Sequence, residues 1–101
     1  MDSTLPIQLP TALIAAFCRS NGIARLSLFG SVLREDFGPE SDVDVLVEFL
    51  PGRTPTLFSI AEMEASLSEL IGRKVDLRTP AELSKYFRDE VVASARLLHA
   101  A

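Results

Sequence analysis

The residues of this chain that could do chemistry lie close together. Gly30-Ser31 follows the apolar run Leu26 to Phe29, and after ten intervening residues Asp42-Val43-Asp44 runs straight into Val45-Leu46-Val47. Alternate residues of a strand share a face, so Asp42 and Asp44 point one way while Val43, Val45, Val47 and Phe49 point the other. Two carboxylates side by side repel and raise each other's pKa unless a cation sits between them. An oxygen-only, carboxylate-rich site suits Mg²⁺ or Mn²⁺, which keep some waters and take further oxygens from phosphates. Glycine lets backbone approach a ligand closely, and N–H groups at the start of a following helix can hold phosphate. The Ser31 hydroxyl adds one more donor. Phosphate cradle and metal-binding pair together suit a nucleoside triphosphate with its metal. Either half alone is an ordinary turn or strand start. At average residue usage the whole four-residue pattern arises by chance in about one 100-residue chain in a thousand.

The elements that must position these groups can be read around them. Residues 24–29 form a first strand, and residues 31–36 a short helix after the Gly30-Ser31 turn. That places Arg34 near the phosphate cradle, where it could contact triphosphate oxygens bidentately or pair at the surface with Glu35 or Asp36. Gly38-Pro39 makes a turn leading to Ser41, whose hydroxyl can cap or hydrogen-bond near Asp42. A second strand follows Asp42. A third strand is expected over residues 73–78, with Val75 and Leu77 on one face and Lys74, Asp76 and Arg78 on the other. A third carboxylate on a neighbouring strand is what a two-metal site needs. Asp76 could serve as metal ligand and as base for an attacking hydroxyl, or stand in a surface ion pair with Lys74 and Arg78.

Helices supply the rest. A first helix is expected within residues 4–21, starting as late as Pro10-Thr11, with Leu9, Leu13, Ile14 and Phe17 on one face and Asn21-Gly22 ending it. Cys18 lies beside that face as a buried, inert thiol. A helix from about Thr56 to Ile71 carries the stripe Ile60, Met63, Leu67 and Leu70 or Ile71. Pro55 falls in its first turn, Gly72 stops it, and Glu62, Glu64, Ser66, Ser68 and Glu69 look outward. Thr79-Pro80 starts a last helical region over residues 81–99, one helix or two joined near Tyr86, with Phe87, Val91, Ala95 and Leu98 at helical spacing. Tyr86 and its neighbours could reach a partner. His99 falls in a frayed tail.

The bounds fit this reading. The 101 residues suit a single domain spanning 1–101; apolar residues make up 48% and charged residues 24%, as in a globular chain. No apolar run approaches a membrane span, and the N-terminal MDSTLPIQLP has no signal-peptide pattern. One cysteine excludes an internal disulfide and fits a reducing cytoplasm. A net charge of −4 argues against direct nucleic-acid binding and suits a basic partner.

The stretch FGSVLRED…SDVDVLVEF resembles the signature of the DNA polymerase beta-like nucleotidyltransferase superfamily, and most closely its minimal (MNT-type) members. The resemblance implies an α/β nucleotidyltransferase fold: a small mixed sheet of three strands, or four, with helices packed on one face and the motif end of the other face open. It implies that Asp42, Asp44 and Asp76 are catalytic and bind two Mg²⁺ ions, and that Gly30, Ser31, Arg34 and Ser41 bind the nucleotide, with ATP as substrate. Many relatives have a glycine after the arginine, where this chain has Glu35. Minimal nucleotidyltransferases are commonly antitoxins of HEPN-domain toxins. The resemblance therefore implies transfer of AMP to a hydroxyl of such a partner, a tyrosine by expectation, in a hetero-oligomer. The chain is short for an acceptor domain of its own. Two alternatives remain open on the residues alone: a non-catalytic antitoxin that acts by covering its toxin, and a transferase acting on a small molecule.

Overall fold

The structure is a computed structural model and describes residues 9–33, 38, 41–83, 85–86 and 88–101. Helix α1 spans Thr11–Asn21 and ends at Gly22, whose φ of +65° is the left-handed cap that glycine reaches without strain. Strand β1 follows at Ile23–Phe29, then a 3-10 turn at Gly30–Leu33. Strand β2 is Val43–Phe49, helix α2 is Leu57–Ile71 and strand β3 is Val75–Arg78. A 3-10 turn at Pro80–Glu82, helix α3 at Arg88–Ser94 and strand β4 at Arg96–Ala100 complete the order. Among the described residues no helix is long and apolar enough to cross a membrane.

The strands make one mixed sheet in the order β3-β2-β1-β4. β1 runs antiparallel to both β2 and β4, and β2 runs parallel to β3. The parallel pair needs a crossover, and α2 is that crossover. The fold is thus the expected mixed α/β arrangement, with the fourth strand present.

One face of the sheet carries the core. Leu26 and Leu28 of β1, Val43, Val45 and Val47 of β2, and Val75 and Leu77 of β3 are all buried. Period-two alternation accounts for each of them, and the in-register pairs Val43–Val75 and Val45–Leu77 put them side by side. α2 lays Met63, Leu67 and Ile71 onto this face, with Ile60 and Leu70 flanking, as its stripe predicts. Thr56 caps α2 by accepting from the Ser59 N–H at 3.1 Å, so Pro55 precedes the helix instead of sitting inside its first turn. In α1 the buried pair is Ile14 and Cys18, with Phe17 partly covered, as is Leu9 just before the helix, and Leu13 exposed. The buried stripe is therefore rotated toward Cys18, which is buried as expected and belongs to the core itself.

Several expectations are corrected. Glu64 and Ser68 do not look outward: the Glu64 carboxylate accepts the Leu77 N–H at 2.8 Å and the Ser68 hydroxyl accepts the Val75 N–H at 2.9 Å. β3 is an edge strand, and these two side chains of α2 satisfy its outward-facing donors. The long C-terminal helix is also absent. Its second half is the short α3 and then β4, whose residues pair with β1 as Leu26–His99, Ser27–Leu97 and Leu28–Arg96. His99 is therefore a strand residue and not part of a frayed tail. At the middle of the motif face Ser27 and Leu46 are buried, a point the expectation of an open motif end did not address. The Pro80–Glu82 turn lies against β2 on the way there. The parts of the expected first helix at residues 4–8, of the short helix at 34–36 and of the Gly38-Pro39 turn at Pro39 lie outside the described residues, as does Phe87.

Candidate active site

The site is built at one end of the sheet, where β1 finishes and β2 begins. Phe29, the last residue of β1, pairs with Asp44, so Gly30 falls directly beside that carboxylate. Gly30 has φ +75°, a backbone conformation that L side chains rarely adopt. A Cβ added there would run into the Asp44 carboxylate. The glycine thus does two jobs: it turns the chain out of β1, and it leaves room for an acid against the backbone. Ser31 follows in the same 3-10 turn. Arg34 lies outside the described residues.

Asp42 sits just before β2 and Asp44 inside it, on the face opposite the buried Val43 and Val45. The parallel register pairs Asp44 with Asp76 of β3. Adjacent strands lie about 4.8 Å apart, so two acids sit abreast on neighbouring strands and a third stands two residues along. The structure therefore carries all three expected carboxylates to one face and one end of the sheet.

It does not close them into one cluster. Among the described residues no three Asp, Glu, His or Cys side chains gather as a metal site. Asp76 is turned to Arg78, whose Nε lies 3.2 Å from Oδ1 and whose Nη2 donates to Oδ2 at 3.2 Å. The hydrogen bond and charge of Asp76 raise the Arg78 pKa above its ordinary value. Lys74 lies 3.9 Å from the Asp42 carboxylate. The ion-pair reading of the β3 segment therefore describes this geometry, but split between two acids: Lys74 with Asp42, Arg78 with Asp76. The donor set at Asp42 and Asp44 fits a hard divalent cation: oxygen only, doubly negative, and on one face. Asp42 and Asp44 are the residues that would hold such a cation, while the Asp76 carboxylate is engaged by Arg78.

Ser41 is committed to the loop. Its hydroxyl oxygen accepts the Gly38 N–H at 3.0 Å, and its carbonyl accepts from Arg73 Nη2 at 2.8 Å. The same Arg73 nitrogen donates to the Gly38 carbonyl at 2.8 Å. Arg73 thus ties the loop before Asp42 to the start of β3, and the Val43 N–H to Lys74 carbonyl bond of 2.8 Å completes the tie. Sequence reasoning missed Arg73 and Glu64, both of which act through backbone groups far along the chain. The available signals were a charged residue just before a strand for Arg73 and a polar position on an amphipathic helix for Glu64, both too common to read. A cleft of about 430 Å³ opens elsewhere, at the Phe49 end of β2, between Phe17, Arg53, Glu62 and Met63. None of the motif carboxylates lines it.

Comparison with known proteins agrees with this geometry. The family described as "Nucleotidyltransferase domain" matches residues 11–98. A protein of Methanocaldococcus jannaschii that carries the name of a protein adenylyltransferase is 32% identical over 75 residues, covering 74% of this chain and 78% of its own length. The chain spans only 54% to 57% of the length of four further curated relatives. Among solved structures, a toxin–antitoxin crystal structure with AMP-PNP superposes with a TM-score of 0.72 at 23% identity, over 92% of this chain and 75% of that one. A tri-AMPylated HEPN toxin in complex with its MNT antitoxin, from Shewanella oneidensis, superposes with a TM-score of 0.64 at 22% identity, over 90% and 70%. At those identities the two structures establish the fold. The domain match over most of the chain, with a strand-turn-strand that brings Gly30 against Asp44, establishes the kinship: this chain belongs to the nucleotidyltransferase domain family and is a nucleotidyltransferase.

Proposed function

We propose that the protein transfers AMP from ATP to a hydroxyl group on a partner protein, a HEPN-type toxin, and so acts as its antitoxin. The observation that carries the reading is the placement of Gly30 against Asp44, with Asp76 in register beside it. A glycine turn beside paired acids at one end of the sheet is the arrangement that phosphate and metal binding would use. The adenylyltransferase name of one relative, and the AMPylated toxin bound to an MNT chain in one structural neighbour, support the acceptor class.

In this reading the turn at Gly30 and Ser31 holds the β- and γ-phosphates on backbone N–H groups, helped by the Ser31 hydroxyl and the Arg34 guanidinium. Asp42 and Asp44 would hold Mg²⁺, whose charge would screen the phosphates. Asp76 accepts the proton of the acceptor hydroxyl, a tyrosine hydroxyl by preference, as that oxygen attacks the α-phosphorus and the bond to pyrophosphate breaks. Ser41 acts indirectly, by shaping the loop that delivers Asp42. The chain contributes positioning and charge, which is where most of the rate of such a transfer arises. A reducing cytoplasm is the compartment we assign, consistent with the single free cysteine.

The test is a transfer assay with α-labelled ATP, Mg²⁺ and the product of the adjacent gene. Label on the partner is expected, and Asp42→Ala/Asp44→Ala is expected to lower it by at least about a hundred-fold while complex formation persists. Equal neutralisation of the partner by the double variant would sink the enzymatic reading in favour of inhibition by covering.

A further inference from the structure

Asp76 is turned to a neighbouring cation by a two-point contact. Arg78 grips both of its oxygens, at 3.2 Å each. Arg78 also has somewhere else to go. Its Nη1 lies 3.9 Å from the Glu82 carboxylate. Glu82 is itself fixed, because its other oxygen accepts the Thr79 N–H at 2.9 Å and the Thr79 hydroxyl at 3.2 Å. The receiving carboxylate is therefore held in place one helical turn away on the Pro80–Glu82 segment. The side chains of Arg78 and Asp76 are 47% and 33% exposed, so the pair is one that water and a divalent cation can compete for.

We infer that Arg78 restrains the third carboxylate, holding Asp76 away from Asp42 and Asp44 until cation and triphosphate claim it, and then passing to Glu82. The inference rests on the reading of Asp42 and Asp44 as the metal-holding pair. Three observations carry it: Asp44 and Asp76 are in register, the three acids nonetheless do not gather, and the guanidinium that holds Asp76 has a second, preset carboxylate within reach. An i,i+2 pair of partly exposed side chains on an edge strand adds little stability, and its direct effect is to occupy both oxygens of Asp76. Arg78 is on this account a positioning residue. It sets how much of the cation's binding energy is spent on freeing Asp76.

The experiment is a Mn²⁺ titration in the presence of AMP-PNP, following the electron paramagnetic resonance signal of free Mn²⁺, so that no turnover is involved. Arg78→Ala is expected to tighten Mn²⁺ binding roughly two- to five-fold, the range that loss of an exposed ion pair corresponds to. Arg78→Lys keeps the charge but loses the fork, and is expected to give part of that gain. Glu82→Gln removes the receiving charge and is expected to weaken Mn²⁺ binding. In the Asp76→Ala background Arg78→Ala should add nothing. Unchanged or weakened binding in Arg78→Ala, with binding abolished in Asp42→Ala/Asp44→Ala, would overturn the restraint and leave the metal-holding pair standing. The same gain from Arg78→Ala with and without Asp76 would overturn it too. Full Mn²⁺ binding by Asp42→Ala/Asp44→Ala would remove the proposed site and this inference with it.

Discussion

Gly30 shows how much one missing Cβ can carry. With φ at +75° it occupies backbone space that costs other residues roughly 1–2 kcal/mol, and a methyl group there would press on the Asp44 carboxylate. Gly30→Ala should therefore fail twice. Urea denaturation is expected to show a loss of about 1–2 kcal/mol from backbone strain. Nucleotide transfer should fall further than stability explains, because Asp44 must rotate out of its place to admit the methyl group. Wild-type activity in a stably folded Gly30→Ala would show that the close approach of turn and acid has no bearing on catalysis. The sequence announced Gly30, Asp42 and Asp44 by spacing alone, since the period of two in a strand fixes which side chains share a face. It named Asp76 as a carboxylate on a neighbouring strand but could not say which of two cations it would meet. That depends on rotamers chosen in the folded protein.

Between elements, the contact that most concerns the site runs from α2 to β3. β3 has only four residues and lies at the sheet edge, so its outward backbone groups need partners from elsewhere. Glu64 and Ser68 provide them, each from one turn of α2 to one N–H of β3. Glu64→Ala leaves the Leu77 N–H to water and is expected to cost about 1 kcal/mol. Amide hydrogen exchange at Leu77 should accelerate in the variant while exchange in β1 stays near wild type, since the sheet centre is untouched. Uniform acceleration across the sheet would mean that Glu64 supports global stability instead of the edge that carries Asp76. In the sequence, Glu64 reads as the polar side of an amphipathic helix. Helical periodicity separates core from surface, but it says nothing about a polar residue at the border that reaches back to a strand.

For the whole molecule, Cys18 offers a pH handle. It is fully buried in the core between α1 and the sheet, and burial pushes its thiol from 9.0 up to about 11. An unfolded chain loses that proton near pH 9.0, whereas the folded protein keeps it until about 11. The contribution to stability is thus complete below pH 9, declines between about 9 and 11, and is gone above. Thermal melts at pH 8 and pH 10.5 should show a steeper alkaline loss for wild type than for Cys18→Ala. Parallel losses in the two proteins would mean that the thiol does not ionise on unfolding in this range.

What the sequence determined by itself is the local logic: a glycine turn after one strand, paired acids entering the next, and α2 with its apolar stripe and glycine stop. Each of these depends on residues within one or two turns of one another, where period and propensity act directly. What only the tertiary structure decided is the fate of the C-terminal stretch and the state of the acids. Residues 96–100 carry apolar side chains at spacings a helix could use, yet they pair with β1, some seventy residues earlier, because a free edge of the sheet offers backbone partners that a lone helix end cannot. Likewise Asp44 and Asp76 become neighbours only through the parallel β2–β3 register, and Arg78 and Glu82 then decide which way Asp76 turns. Long-range pairing and rotamer choice are settled by the assembled sheet, which no window of the sequence contains.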